Sequence, residues 1–185
     1  MATDSNAVPT SWGPDGKRLV FVRPGSDRKL HLWSIELPNG TPALLHDTPY
    51  TETDGQVSPD GRWLTYVSNE SGTNEIYLQP FPMPGGKTRV STHGGDRPRW
   101  SRSGREVYYW GGLNSGLAVV QIQTSPEIRI GLSQDLFQMV IGTTFGVAPD
   151  AQHFLVEAIP GLQGERRMDL VVNWFDELRR EAPAQ

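Results

Sequence analysis

Short apolar runs broken by Gly, Pro, Asp and Asn recur along this chain, and their lengths fit strands better than helices. Trp63-Leu64-Thr65-Tyr66-Val67-Ser68 is one such run, and Glu75-Ile76-Tyr77-Leu78-Gln79 follows it across the polar loop 69–74. Before it, the short stretch Gln56-Val57-Ser58 runs into the turn Pro59-Asp60-Gly61. After it, Pro82-Met83-Pro84-Gly85-Gly86 leads to an outer strand, Lys87-Thr88-Arg89-Val90-Ser91. Pro suits the second position of such a turn, Asp bonds back to the backbone, and Gly takes the positive φ that closes it.

The same grammar returns four times. The turn copies are Gly13-Pro14-Asp15-Gly16, Ser58-Pro59-Asp60-Gly61, the degraded Ser101-Arg102-Ser103-Gly104, and Ala148-Pro149-Asp150-Ala151. Their third residues lie 45, 43 and 47 positions apart. A period of about 40–50 residues built of short strands predicts a β-propeller with one four-stranded blade per repeat. Unit one places strands at Ser11-Trp12, Arg18–Val22, Leu30–Ile35 and Pro42–Leu45. Unit three places them at Arg99-Trp100, Glu106–Trp110, Leu117–Ile122 and Leu136–Met139. Second strands such as Val107-Tyr108-Tyr109-Trp110 are apolar on both faces, as expected of a sheet sandwiched between neighbours.

Unit four is atypical. Phe145-Gly146-Val147 and His153–Val156 fit, but Ala151 replaces the turn glycine, which predicts a turn of another type. After Met168–Val172 no outer strand follows. Asn173 instead caps an expected short helix, 174–180, with acids in its first turn and arginines in its last. The predicted organisation is therefore a polar tail (1–7), blades at about 8–52, 53–95, 96–142 and 143–172, and a C-terminal helix and tail (173–185). Propellers with this repeat close with six or seven blades. Four units predict the C-terminal part of a larger ring, whose open faces would meet the remaining blades or a second copy.

Composition narrows the partners. Twenty glycines and fifteen prolines fit a chain of many short strands and turns. A net charge of −4 with no Lys/Arg run disfavours nucleic acid. Absence of Cys excludes thiolate chemistry and disulfides. No run approaches the ~18 apolar residues of a membrane span, and Met1–Asn6 lacks the apolar core of an export signal. The four histidines (31, 46, 93 and 153) are scattered, so no metal or other cofactor is expected.

Catalytic motifs are sparse. No G-x-S-x-G nucleophile elbow occurs, so a serine-hydrolase centre is not expected within this chain. Asp15, Asp60 and Asp150 read as turn formers. One set has more promise. The loops ahead of the inner strands should converge on the mouth of the propeller channel, bringing together Glu52, Thr53 and Asp54, then Asp96 and Arg97, then Thr143 and Thr144. Opposite charges gathered there would suit a protein or peptide ligand, or a small polar one. The competing reading, which residues alone favour, is a solvated rim with weak ion pairs.

The stretches Gln56–Ser68 with Asn74–Leu78, and Asp96–Tyr109, resemble the WD40-like repeat of TolB-type propellers. The ending Leu170-Val171-Val172-Asn173-Trp174-Phe175-Asp176-Glu177-Leu178 resembles the C-terminus of propellers fused to bacterial receptor-like serine/threonine kinases. The first resemblance implies a six-bladed fold and, as one possibility, a TolB-like periplasmic scaffold. The second implies an extracytoplasmic sensor or interaction module of a larger signalling protein, with no catalysis in the propeller itself. A propeller hydrolase using rim carboxylates such as Asp54 and Asp96 is the remaining alternative.

Overall fold

The computed structural model describes residues 6–83, 85–112, 116–137, 141–158 and 167–171. Within them the chain is all-β, in four antiparallel sheets that follow one another along the sequence. Sheet one orders β1 (Val8–Trp12), β2 (Arg18–Pro24), β3 (Leu30–Glu36) and β4 (Ala43–Leu44). Sheet two orders β5 (Glu52–Val57), β6 (Trp63–Ser68), β7 (Glu75–Pro80) and β8 (Thr88–Arg89). Sheet three runs β9 (Gly95–Trp100), β10 (Glu106–Gly111), β11 (Gly116–Gln123) and β12 (Arg129–Ile130), with β13 (Gln134–Phe137) also paired to β11. Sheet four comprises β14 (Ile141–Val147), β15 (Phe154–Ala158) and β16 (Arg167–Val171). These are propeller blades, and no helix occurs among the described residues. The expected helix at 174–180 lies outside them, as do Gln138 and Met139 of the expected third outer strand.

The core forms between blades. Val20 and Leu32 of blade one pack with Val57, Leu64 and Tyr66 of blade two. Ile76 and Leu78 of blade two meet Val107 and Tyr109 of blade three. Tyr108 of blade three packs edge-on to Phe154 of blade four, with ring centres 5.1 Å apart. Period-2 alternation explains the doubly apolar second strands. Tyr66 turns towards blade one and Val67 towards blade three, while Val107 and Tyr108 do the same one blade later. Each fully buried Leu or Ile contributes about 1.5–3 kcal/mol by leaving water. Among the described residues, blade one has such a neighbour on one face only. Its Trp12 is 57% exposed, and Arg23 lays its guanidinium 3.6 Å over the Trp33 ring.

All four repeat turns share one geometry. The amide of the fourth residue donates to the carbonyl of the first: Gly16 to Gly13 at 2.9 Å, Gly61 to Ser58 at 2.9 Å, Gly104 to Ser101 at 3.0 Å, and Ala151 to Ala148 at 2.9 Å. Ala151 adopts φ 58°, beside 69°, 74° and 69° for the three glycines. The expectation of another turn type at Ala151 is thus corrected. The repeat holds alanine in the left-handed region at a cost of about 1 kcal/mol, because that conformation brings the chain back for the Ala148 amide to donate to His153 O at 2.9 Å, the bond the first turn residue makes in every copy.

Two more boundaries differ from expectation. The outer strand of blade three is split into β12 and β13, both laid along β11. The inner strands also start earlier than the sequence predicts, at Glu52, Gly95 and Ile141. Residues expected in loops therefore belong to strands.

Candidate ligand-binding site

The inner strands β1, β5, β9 and β14 lie in succession, each against the next. Gln56 Nε2 donates to Thr10 O at 2.7 Å, and Trp100 Nε1 donates to Gln56 O at 3.2 Å, stitching three blades together. The pairing of each inner strand with its second strand is interrupted by a register shift: between Pro9 and Ser11, between Thr53 and Gln56, opposite Tyr108–Trp110, and between Ile141 and Phe145. Such bulges bend a strand and re-aim a side chain. In blade two the shift is accompanied by Gly55. A Cβ there would sit 2.9 Å from Leu32 Cδ2 and 3.0 Å from Val20 Cγ1, so a larger residue would require both side chains of blade one to shift.

Asp54, Arg97 and Thr144 occupy the same repeat position, four residues before the first turn residue. Asp54 has φ 51° and Arg97 φ 53°. A non-glycine residue in this conformation costs on the order of 1–3 kcal/mol, and such strain concentrates at functional positions. Asp54 and Arg97 are half-buried and Thr144 is exposed. Asp96, also half-buried, accepts a hydrogen bond from Asn74 Nδ2 at 2.9 Å.

Arg99 joins this set, and sequence reasoning missed it. Its Nη1 donates to Pro98 O at 2.8 Å, and its guanidinium lies 5.9 Å from the Phe145 ring of blade four. Burial lowers its pKa below the ordinary arginine value, and the Asp54 carboxylate opposes that shift while Arg97 adds to it. Asp54, Arg97 and Arg99 therefore interact electrostatically across the inner strands of blades two and three. No local signal marked Arg99, because the register shift between Asp96 and Arg99 breaks the period of two that would group it with its neighbours.

Glu52 behaves differently from the rim residue expected. Its side chain is fully buried at the start of β5. Its Oε2 lies 2.8 Å from His46 Nδ1, and its Oε1 accepts from Thr48 Oγ1 at 3.0 Å. His46 Nε2 in turn lies 2.6 Å from Gln79 Oε1, and the ring stacks at 4.8 Å on Tyr66, whose hydroxyl pKa is pushed up by burial and by the Glu52 charge. A buried carboxylate must be hydrogen-bonded to persist, and this one is. It ties the blade-one exit loop to blade two. Thr53 is half-buried in the same strand. The side chain of Thr143 lies outside the described residues. Among the described residues no cluster of three or more His, Asp or Glu side chains could hold a metal ion.

No protein-family model matches the chain. Over 117 residues it is 26% identical to the uncharacterized peptidase YuxL of Bacillus subtilis, an alignment covering 58% of this chain and 18% of that protein. TolB from Acinetobacter baumannii superposes with a TM-score of 0.72 at 17% identity, over 91% of this chain and 41% of TolB. Prolyl oligopeptidase B from Galerina marginata gives 0.58 at 15% identity, over 90% of this chain and 25% of the enzyme. The shared feature is the propeller fold, which occurs here in both a TolB protein and a peptidase. The chain spans less than half the length of each of these three proteins. No helix among the described residues is long and apolar enough to cross a membrane.

Proposed function

We propose that the chain forms the blade-bearing part of a TolB-like, non-enzymatic scaffold that holds a protein or peptide segment against its inner strands, outside the cytoplasm. The observation that carries this reading is the strained pair Asp54 and Arg97, set at equivalent bulges beside Arg99. Charges of both signs, held in fixed and partly buried positions, suit the backbone and side chains of an extended peptide. The likeness to TolB supports the scaffold reading. The absence of a G-x-S-x-G elbow supports a role other than serine hydrolysis for this chain.

A second reading makes the propeller the sensor of a receptor-like signalling protein, and it rests on the resemblance of Leu170–Leu178. The peptidase relative keeps a third in view, in which Asp54 and Asp96 serve a hydrolase. Peptides selected by phage display against the immobilised chain test the first reading. Selected peptides should lose at least tenfold in affinity to the Asp54→Ala and Arg97→Ala chains. Equal binding to both variants would refute it. Turnover of a peptide or glycoside that disappears in Asp54→Ala would favour the hydrolase instead.

A further inference from the structure

The third repeat turn departs from the motif in a way the fold does not require. In blade two, Ser58 Oγ donates to Asp60 Oδ1 at 2.6 Å, and that oxygen accepts from the Arg62 amide at 3.1 Å. In blade three, Ser103 Oγ takes the same place, 2.9 Å from Ser101 Oγ and 3.3 Å from the Arg105 amide. The turn closes identically in both, with Gly61 and Gly104 at φ 74° and 69°. Geometry is conserved, but charge is not. Exchange of Pro for Arg102 and of Asp for Ser103 raises the local charge by two.

This altered turn borders a groove of about 1240 Å³ between blades two and three, whose walls include Arg62, Arg102, Arg105 and Arg129. The acids in the groove already have partners. Asp60 pairs with Arg62 at 2.8 Å, and Glu106 accepts from the Tyr108 hydroxyl at 3.2 Å. Arg129 lies 3.8 Å from the exposed Glu127. Among the described residues, no ion pair or hydrogen bond engages the exposed guanidinium groups of Arg102 and Arg105. The groove exceeds the ~300–1,000 Å³ usual for small-ligand pockets. Its far wall offers the exposed amide side chains of Gln121 and Gln123, which can both donate to and accept from a peptide backbone.

We propose that this turn-side groove binds an acidic peptide segment of a partner protein, with Arg102 and Arg105 as carboxylate anchors. Guanidinium forks match carboxylates in bidentate geometry. Two uncommitted guanidinium groups three residues apart, with Arg62 and Arg129 also in the wall, suit successive Asp or Glu side chains better than a single compact anion. The chain's net negative charge argues against nucleic acid as the occupant. The surface is separate from the inner-strand site, so the two readings can fail independently.

The test is fluorescence anisotropy of a labelled ten-residue polyglutamate peptide with the 185-residue chain at low ionic strength. The double variant Arg102→Pro/Ser103→Asp rewrites the turn to the repeat's own sequence, so it should retain the melting temperature. Its affinity should fall at least tenfold, as should that of Arg105→Ser, while Lys17→Ala, on the exposed turn of blade one, binds normally and equimolar inorganic phosphate fails to compete. Absence of binding by the unaltered chain, or equal binding by the double variant with its fold intact, would overturn the proposal. So would displacement by equimolar phosphate, which would mark a small-anion site instead.

Discussion

In blades two and three, the middle strands and the inner strands are hydrogen-bonded neighbours built on opposite terms. The middle strands β6, β7 and β10 carry Tyr66, Ile76 and Val107, each between zero and 1% exposed, and each packed against an adjacent blade. The inner strands β5 and β9 read ETDGQV and GDRPRW, are interrupted by bulges, and hold Asp54 and Arg97 at positive φ. One set supplies inter-blade burial. The other carries, at Asp54 and Arg97, backbone strain that costs on the order of 1–3 kcal/mol at each position. Residues retained against their folding cost in this way are candidates for recognition.

Truncation of a middle strand gives the largest expected effect. Ile76→Ala should lower unfolding free energy by about 3 kcal/mol in urea denaturation, since it empties a fully buried site between two blades. Loss of less than 1 kcal/mol would mean that blades two and three are not packed as described. Next is Glu52→Ala, expected to cost roughly 2–3 kcal/mol by leaving His46 and Thr48 without their buried acceptor, with Glu52→Gln recovering part of the loss. An effect near zero would return Glu52 to the exposed rim.

The turns give smaller effects of opposite sign. Gly61→Ala should cost about 1 kcal/mol, because φ is 74° and the new methyl would lie 3.1 Å from Pro14 Cγ. Ala151→Gly should instead gain up to about 1 kcal/mol by relieving the left-handed alanine. Thermal melts of the pair check both signs. The smallest effect is acid-dependent. Burial raises the Asp60 pKa, but hydrogen bonds from Ser58 and from the Arg62 backbone and side chain outweigh it and leave the carboxyl below its ordinary 3.8. A depressed carboxyl stabilises above its unfolded value and loses that contribution as pH falls through the folded one. Asp60→Asn should therefore melt slightly lower than the unaltered chain at neutral pH, and the gap should close below pH 3.8.

The middle strands and the turns were legible in the sequence because their signals are local: alternating apolar runs, and Pro-Asp-Gly at a fixed interval. The inner strands were not. Polar residues, Gly55 and Pro98 hide any period of two, and a bulge shifts the register that the period would reveal. Asp54, Arg97 and Thr144 were expected in the loops ahead of the inner strands, and the structure places them within those strands. Arg99 was missed because its relation to Asp54 spans two blades. Glu52 was misjudged for a similar reason. Its partners His46, six residues back, and Gln79, reached through His46, come together only once blade two is folded. Ala151 shows the converse, where a repeated hydrogen bond overrides the preference of the residue itself.

The strained inner-strand position is where folding and recognition should separate. A peptide selected against the unaltered chain, titrated by calorimetry into the Arg97→Gly variant alongside a thermal melt, tests this most directly. The account predicts an unchanged or raised melting temperature with affinity reduced at least tenfold, because glycine relieves φ 53° and removes the cation. A variant that melts lower and still binds the peptide at full affinity would contradict it.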